Sequence, residues 1–418
     1  MKIEDIYQLY TQHFLVDTDT RTIRKNTIFF ALKGDNFNGN VFAEEALKQG
    51  ASYAIIDEEK YNKHPHTILV DDVLETLQAL AQYHRQELAI PIIGLTGSNG
   101  KTTTKELINA VLSTKYKTSA TKGNLNNHIG VPLTLLSMTP ETEIGIVEMG
   151  ANHKKEIAFL CTICKPDFGY ITNFGKAHLE GFGGIEGVIT AKSELYAYLE
   201  EHNKTVFINP QDPIQVDKTK SIESIPFLDD LQFMEVNPFV KLALNSNEIQ
   251  SNLIGKYNYT NIAVACTIGN HFKVSNQDIK AGIENYTPEN NRSQIIKKTT
   301  NTIILDAYNA NPTSMKAALE NFEDIKAESK TVILGDMFEL GKTSLEEHQN
   351  IVNFVESLHF NNCFFVGANF HQTKTKNSLF KTFEDLLSHL KNNPLKHQSI
   401  LIKGSRGMRL ERLLDAIS

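Results

Sequence analysis

Residues 90–103 read IPIIGLTGSNGKTT, and this stretch decides the fold because it joins a short apolar strand to a glycine-rich turn and a helix. Glycines let backbone N–H groups approach phosphate oxygens, and the N-terminus of the following helix adds positive partial charge. Lys101, expected to be exposed in this loop, would reach the β- and γ-phosphates, and the Thr102 hydroxyl would ligate Mg²⁺. Standard P-loop spacing wants glycine at position 95, whereas this chain has Leu95 there and Gly97 two residues later. The Gly-Lys-Thr triplet in this context favours nucleotide binding over a plain strand–helix turn.

Strands and helices alternate along the chain, which favours mostly parallel sheets with helices on both faces. Three blocks are predicted: a small N-terminal α/β substrate domain (1–89), a central domain with a P-loop mononucleotide-binding sheet (90–292), and a C-terminal doubly wound, Rossmann-like domain (293–418). The last block alternates four times, with a predicted helix over 379–390 and, at its end, another over 408–417. Residues 211–231 are polar and are interpreted as a surface excursion.

The bulk composition excludes several classes of protein. The chain has 418 residues, 41% hydrophobic and 22% charged, with a net charge of −7, so it offers no footprint for nucleic acid or an anionic membrane. No signal peptide and no apolar run of about 20 residues is visible, so cytoplasm is the expected location. Cys161 and Cys164 form a lone C-x-x-C, which is interpreted as two small apolar residues near a helix end rather than a metal or redox site.

Polar residues follow several predicted strands, at the edge where ligands bind in open parallel sheets. Glu148 ends the apolar strand 144–147, where a carboxylate could hold Mg²⁺ beside the P-loop. His178 follows another strand, although a lone loop histidine is more often structural and imidazole is an unusual Mg²⁺ ligand. Asp306, Asp336 and Lys403 take the matching places in the third block. If the two blocks close together, the two crevices would face each other.

Seven motifs, in order, resemble those of the Mur ligase family over nearly the full length of the chain. They are TGSNGKT (96–102), GNLNNHIGVPLT (123–134), EMGANH (148–153), AHLE (177–180), DAYNANP (306–312), GDMFELG (335–341) and KGSR (403–406). The resemblance implies an ATP-dependent ligase of cell-wall synthesis that joins a carboxylate to an amine through an acyl phosphate. It further implies a UDP-N-acetylmuramoyl-tripeptide acceptor, D-alanyl-D-alanine as the amine, and ATP with two Mg²⁺ ions.

The resemblance also assigns roles to individual positions. It implies catalytic roles for Lys101, His178 and Lys192, and metal ligands at Thr102, Glu148, His178 and a carbamylated Lys192. The ATP contacts would be Thr96, Gly97, Ser98, Asn99, Gly100, Lys101, Thr102, Thr103, Asn261, Arg292 and Asp306. The UDP-substrate would meet Asp19, Thr20, Arg21, Lys33, Asn126 and Asn127, and the amine Tyr308, Asn309, Asn311, Asp336 and Glu339.

Some positions leave alternatives open. Lys192 has a second interpretation, as a surface lysine paired with Glu194 or with a phosphate. The chain departs from the family at Asn291, where glycine is common before the arginine, at Ser193, also commonly glycine, and at Thr20, commonly serine. None of these changes removes a charged group that the chemistry needs.

Three rival functions were weighed. Another amino-acid-adding Mur ligase or a folylpolyglutamate-synthase-like ligase is the alternative, although the Asp-Asn-Pro-Arg run of the diaminopimelate branch is absent. A P-loop GTPase would need an Asn-Lys-x-Asp motif, which is also absent. A non-catalytic binding protein would not need the intact set of Lys101, Thr102, Glu148, His178 and Lys192. A monomer without nucleic-acid partners or membrane insertion is expected.

Overall fold

The computed structural model describes residues 1–288 and 291–417 and contains three parallel or mostly parallel sheets, each flanked by helices. The first sheet has the order β1-β2-β5-β6, with all neighbours parallel, and a small hairpin β3-β4 lies beside it. Its elements are α1 (Ile3–Tyr10), β1 (Val16–Asp17), β2 (Ile28–Phe30), β3 (Lys33–Gly34), β4 (Phe37–Asn38), α2 (Ala43–Lys48), β5 (Tyr53–Ile56), β6 (Thr67–Leu69) and α3 (Val73–Leu88).

Helix α3 joins this first block to the second one. Leu77 and Leu80 of α3 are fully buried in the same core as Val131 and Leu135 of the central block. Arg85, at the end of α3, pairs with Asp167 at 2.7 Å across the same boundary. The first block therefore shares one apolar core with the second and is not free to move away from it without exposing that core.

The central sheet has six parallel strands in the order β12-β11-β10-β7-β9-β8, and a three-stranded antiparallel sheet packs over its helices. The strands are β7 (Ile92–Thr96), β8 (Thr118–Ala120), β9 (Ile144–Glu148), β10 (Phe168–Ile171), β11 (Thr205–Ile208), β12 (Ser224–Pro226), and, in the antiparallel sheet, β13 (Leu231–Val236), β14 (Phe239–Leu244) and β15 (Asn247–Ile254). The helices are α4 (Lys101–Leu112), α5 (Gly130–Leu135), α6 (Glu156–Cys164), α7 (Leu179–Phe182), α8 (Ile185–Lys192), α9 (Glu194–Glu201), α10 (Pro213–Lys218), α11 (Asn258–His271) and α12 (Asn276–Asn285).

One expectation for this block is refined and another is confirmed. The stretch 211–231 lies largely at the surface, but it is a regular part of the fold, because it forms α10 and the edge strand β12, which pairs in parallel with β11. Strand β12 escaped notice because it is short and ends in Pro226, a residue confined to sheet edges. The interpretation of Cys161 and Cys164 is confirmed: both thiols are buried at the end of α6, against the sulfur of Met149.

The third sheet has the order β16-β17-β21-β18-β19-β20, with only β16 antiparallel to its neighbour. Its elements are β16 (Gln294–Lys297), β17 (Thr302–Asp306), α13 (Pro312–Asp324), β18 (Lys330–Gly335), α14 (Ser344–Glu356), β19 (Asn362–Val366), β20 (Ser378–Phe380), α15 (Phe383–Asn392) and β21 (Ser399–Lys403). Helix α13 begins where the sequence allows it, because Asn311 and Ser314 form a capping box and Pro312 opens the first turn.

The predicted three-part α/β fold is confirmed, with two local differences in this last block. The predicted helix over 379–390 starts only at Phe383, since residues 378–380 form β20. The predicted helix over 408–417 is instead a pair of 3-10 turns, Arg406–Met408 and Leu410–Asp415. The boundaries after residues 89 and 292 stay a prediction, although every strand of each sheet lies on one side of them. Across residues 1–288 and 291–417, no helix has the length and apolar character needed to cross a bilayer.

Candidate active site

A cavity of about 560 Å³ lies where the carboxyl ends of the central strands face the third block. It collects most of the predicted site residues on one surface. Those that line it are Ser98, Asn99, Gly100, Lys101, Thr102, Thr103, Asn126, Asn127, Glu148, His178, Asn261, Arg292, Asp306, Tyr308 and Asn309. The convergence of polar residues from two sheets confirms the expected meeting of the two crevices.

The glycine-rich turn explains why Gly97 replaces the glycine expected at position 95. Gly97 has φ +142°, and a Cβ there would lie 2.0 Å from the Thr172 hydroxyl at the end of β10. Leu95, in contrast, is an ordinary fully buried residue of β7. The tight approach in this chain therefore occurs two residues later than in the standard P-loop. Gly100, with φ +80°, then opens α4 against the Asn261 side chain.

Lys101 is the first residue of α4, and its ammonium lies folded over the turn. Its Nζ donates to the carbonyls of Gly97 (2.7 Å) and Ser98 (3.4 Å). Burial lowers the pKa of Lys101, Glu148 opposes that shift, and Arg292 adds to it. The expectation that Lys101 is exposed in a loop is therefore wrong. Its charge is enclosed beside the anion-binding turn, where a phosphate would be a stronger partner than two carbonyls.

Glu148 presents one unpaired oxygen to the cavity. The residue is 2% exposed, its Oε1 accepts from Asn126 Nδ2 at 2.8 Å, and its Oε2 has no hydrogen-bond partner among the described residues. Thr102, on the first turn of α4, is 6% exposed and lines the same cavity. An orphaned carboxylate oxygen beside a hydroxyl fits a hard cation such as Mg²⁺, which prefers oxygen ligands. No cluster of three or more His, Cys, Asp or Glu suited to a metal occurs among the described residues, so the fit rests on mixed ligands.

Lys192 is buried, which overturns the interpretation of a surface lysine. The residue is 1% exposed, its Nζ donates to Ala151 O at 3.3 Å, and it lies 5.2 Å from the centre of the Phe182 ring. Glu194 is not its partner, since that carboxylate accepts the backbone N–H groups of Lys155 and Ala158. Burial first, and then the charge of Lys101, hold the pKa of Lys192 well below its usual value. The side chain is therefore biased towards the neutral amine.

The third block closes the cavity with a buried ion pair. Asp306 and Lys403 are partners on the parallel strands β17 and β21, and their side chains meet at 2.5 Å. Lys403 is 2% exposed and also donates to Asn309 O. Sequence analysis placed Lys403 at a strand end without a role, although a lysine that closes an apolar strand is a signal for such a pair. Other lining residues that sequence reasoning missed are Asn124, His128, Asn152, Phe159 and Thr313.

Arg292 and Tyr308 form the wall opposite the glycine-rich turn. The Arg292 guanidinium lies 3.7 Å from the centre of the Tyr308 ring, and a second guanidinium, that of Arg406, lies 4.8 Å from it. The Arg292 Nε atom is buried without a hydrogen-bond partner among the described residues. Stacking fixes the direction of both cations while leaving their N–H groups free for a ligand.

The predicted amine-site residues do not all reach the cavity. Asn311 bridges the two blocks, donating to Asn99 Oδ1 at 2.6 Å. Glu339 contacts the Nδ1 atom of His178, and this contact lowers the pKa of Glu339. Asp336 is 2% exposed, and its two oxygens accept the backbone N–H groups of residues 369 and 370. The structure thus gives Asp336 a local role in holding a loop and does not bring it to the cavity.

Four of the predicted UDP-substrate residues lie away from the cavity, on the first block. Asp19 and Arg21 pair with each other at 2.5 Å, with the arginine 86% exposed, and Lys33 pairs with Asp57 at 3.0 Å. Thr20 is the first residue of the short 3-10 turn Thr20–Thr22. Only Asn126 and Asn127 of this set line the cavity. Thr96, the last residue of β7, and Gly97 in the glycine-rich turn are likewise not among the residues that line the cavity.

Comparisons with known proteins agree with this arrangement. Three family descriptions match successive parts of the chain: the Mur ligase family catalytic domain (13–85), the Mur ligase middle domain (95–269), and the Mur ligase glutamate ligase domain (291–406). The UDP-N-acetylmuramoyl-tripeptide–D-alanyl-D-alanine ligase of Bacillus subtilis is 36% identical, over 96% of this chain and 92% of its own length.

Two solved structures share the fold over nearly the whole length. MurF from Acinetobacter baumannii superposes with a TM-score of 0.83 at 30% identity, covering 96% of this chain and 92% of its own. MurF from Thermotoga maritima, solved in complex with ADP, gives a TM-score of 0.84 at 26% identity, covering 100% and 98%. Three matched domains, a relative that is 36% identical over nearly the full length, and the convergent cavity together show that this chain belongs to the Mur ligase family.

Proposed function

We propose that the protein is an ATP-dependent ligase that adds D-alanyl-D-alanine to a UDP-N-acetylmuramoyl-tripeptide in peptidoglycan precursor synthesis. The observation that carries the proposal is the shared cavity, in which the glycine-rich turn and Lys101 face Asp306, Tyr308 and Asn309 of the third block. The name and near full-length similarity of the Bacillus subtilis relative support the choice of substrates.

The chemistry begins with a carboxylate that cannot condense with an amine in water unless it is activated. A carboxylate oxygen of the acceptor attacks the γ-phosphorus of ATP, which forms an acyl phosphate and releases ADP. The neutral amine then attacks the acyl carbon, the tetrahedral intermediate collapses, and inorganic phosphate leaves with a proton lost from the nitrogen. The protein's part is positioning and charge neutralisation.

The nucleotide would lie along the glycine-rich turn, with its phosphates on the backbone N–H groups of residues 100–103 and the ammonium of Lys101. The N–H groups of Ser98 and Asn99 are already used, because they donate to the backbone and side-chain oxygens of Asn173. Arg292 and Asp306 stand on the opposite wall of the cavity, where we propose that they contact the ribose and phosphates. Asn261 is fixed for an adenine contact, because its amide accepts from Thr104 Oγ1 at 3.0 Å and donates to Asn258 Oδ1 at 2.8 Å. The ADP complex of the Thermotoga maritima relative supports the binding of an adenine nucleotide by this chain.

Thr102, Glu148 and His178 are the residues that we propose would hold Mg²⁺, with a carbamylated Lys192 serving a second ion. When bound, the metal supplies positive charge next to the transferring phosphoryl group. The unpaired Oε2 of Glu148 and the depressed pKa of Lys192 support these assignments. Carbamylation needs a neutral amine, which the burial of Lys192 favours.

The amine substrate would enter from the third block, against Tyr308, Asn309, Asn311 and Glu339. Asp336 would act there only indirectly, because its carboxylate ties the loop 335–341, which carries Glu339, to the backbone of residues 369 and 370. The UDP-sugar would reach from Asn126 and Asn127 towards Asp19, Thr20, Arg21 and Lys33 on the first block. A monomeric enzyme working in the cytoplasm remains our expectation.

The test measures phosphate release with UDP-muramoyl-tripeptide and ATP, and with D-alanyl-D-alanine, single amino acids or glutamate as the amine. Product formation confirmed by mass, with a preference for the dipeptide, would support the proposal. Preference for a single amino acid would move the chain to another branch of the family, and preference for glutamate on a folate-like acceptor would favour the folylpolyglutamate-synthase alternative.

A further inference from the structure

The turn after the last strand of the third sheet carries a cation without an assigned role. Arg406 follows β21, its side chain is exposed, and its guanidinium lies 4.8 Å from the centre of the Tyr308 ring, a residue that lines the cavity. Among the described residues, no acidic side chain lies within ion-pair distance of Arg406. Lys403, three residues earlier, is already neutralised by Asp306 at 2.5 Å. Arg406 is therefore a positioned guanidinium with its charge available to a ligand.

The turn is built to hold this cation still. The hydroxyl of Ser405 accepts the backbone N–H of Phe338 at 3.0 Å, and the Ser405 N–H donates to Asp336 O at 3.1 Å. Gly407 packs directly on the Phe338 ring, since a Cβ at that position would lie 2.7 Å from the ring. These contacts tie the turn to the loop 335–341, so Arg406 and that loop hold a fixed relation to each other.

The same contacts place three different chemical groups near one another. Arg406 supplies a cation, Phe338 supplies an aromatic face that is 42% exposed, and Glu339, the next residue, supplies a carboxylate. Both charged groups touch residues that line the cavity, namely Tyr308 and His178.

A small zwitterion with apolar side chains is the ligand that matches these three groups. A carboxylate suits the planar fork of a guanidinium, a methyl group suits an aromatic face, and an ammonium suits Glu339. A dipeptide spans about 7 Å when extended, roughly twice the length of one amino acid, and its methyl groups would meet the Phe338 ring. We propose that Arg406 binds the C-terminal carboxylate of the incoming dipeptide and thereby selects a dipeptide over a single amino acid. The inference rests on the proposed function.

The test combines a change in the protein with the matching change in the substrate. Wild type and Arg406→Gln are each assayed with D-alanyl-D-alanine and with its C-terminal carboxamide, and the full-length chain is used throughout. A charge-assisted hydrogen bond is worth enough to change KM by roughly tenfold to a hundredfold. We expect the carboxamide to raise the wild-type KM by that factor, and Arg406→Gln to raise the dipeptide KM similarly.

The combined change should cost no more than either change alone, because both remove the same interaction. The KM for ATP and the thermal unfolding should stay near wild type, because Arg406 is exposed. Arg409→Gln is the matched control, an exposed arginine three residues later, and should leave the dipeptide KM unchanged.

Two results would overturn the inference alone: an unchanged dipeptide KM in Arg406→Gln, or a variant that still prefers carboxylate to carboxamide as strongly as wild type does. Wild-type failure to use the dipeptide at all would instead overturn the proposed function, and this inference with it.

Discussion

The P-loop helix carries two lysines, four residues apart, whose removal should have opposite consequences. Lys101 opens α4 and directs its ammonium over the glycine-rich turn, whereas Lys105 points into the protein and donates to Thr121 O at 2.6 Å. Both residues lie on one side of the same helix, so substitution by methionine keeps the stem of each side chain and removes only the charge. We expect Lys101→Met to lose ligation while keeping the stability of the fold. We expect Lys105→Met to lower the stability of the fold while keeping most of the ligation activity.

The magnitudes follow from what each ammonium contacts. Lys101 has one short hydrogen bond, to Gly97 O at 2.7 Å, and a long one at 3.4 Å. Its burial also disfavours the charge, so its loss should cost the fold about 1 kcal/mol or less. Loss of one preorganised group that stabilises transition-state charge costs about 10²- to 10³-fold in kcat. Lys105, with a side chain 4% exposed, leaves a buried carbonyl unpaired when removed, which costs about 1–3 kcal/mol of stability.

Steady-state phosphate release and thermal unfolding, measured on the same preparations, separate the two effects. We expect Lys101→Met to lose at least roughly a hundredfold in kcat with an unfolding midpoint near wild type. Lys105→Met should unfold at a lower temperature while retaining kcat within about tenfold. Near-normal turnover in Lys101→Met would refute the assignment of this lysine. Equal loss of activity in both variants would show that the helix as a whole, and not the placed charge, carries the effect.

Three further predictions concern the other buried and bridging groups. Lys192→Ala should be inactive and regain activity with acetate, a carboxylate that can take the carbamate's place; full activity without acetate would leave Lys192 without a catalytic part. Lys176 Nζ pairs with Glu347 at 2.6 Å, which joins the central block to the C-terminal block. Lys176→Glu places two like charges at this contact and should lower kcat/KM by roughly tenfold. Adding Glu347→Lys to the same chain should restore kcat/KM. The variant Glu346→Lys, at an exposed neighbouring position, is the control for that charge swap. Small-angle scattering adds a test of the same contact between blocks: wild type should become more compact when ATP and UDP-substrate are both bound, and an unchanged profile would count against closure. Burial lowers the pKa of His348 below its usual 6.5. Below about pH 6.5 the unfolded chain therefore gains a proton that the folded chain does not, and the free energy of unfolding falls. His348→Gln should lose less stability than wild type on titration from about pH 7 to pH 5.

The sequence predicted the elements that carry strong local signals and missed those that depend on partners. The strand, turn and helix around Lys101 followed from glycines and apolar spacing. Strands such as β20 and β12 are only three residues long, and neighbouring strands hold them in place rather than a pattern of their own. Local propensity is too weak to indicate such edges.

The same distinction holds within the site. Residue type and position at strand ends predicted Glu148 and Asp306 as cavity residues, because parallel strands all end at one edge of a sheet. The sequence could not show that Lys192 is buried or that Asp336 spends both oxygens on backbone N–H groups. Both facts depend on which segments fold over them, and no local pattern reports that.

The side chains of the cavity do not by themselves supply the positive charge that this acidic protein would need to hold anionic substrates. The chain carries a net charge of −7, yet Lys101, Arg292 and Lys403 line one cavity of about 560 Å³ with Glu148, Glu156 and Asp306 as its acids. Lys403 and Asp306 cancel as a pair, which leaves Lys101 and Arg292 against Glu148 and Glu156. Such near-neutral walls would not hold a nucleoside triphosphate beside a carboxylate substrate, because the negative charges of the two ligands repel strongly at short range in an enclosed site. The pKa of Lys101 and that of Lys192 are lowered because each ammonium is enclosed without a carboxylate in direct contact. Bound phosphate would relieve that cost, so binding of the nucleotide should raise the pKa of Lys101.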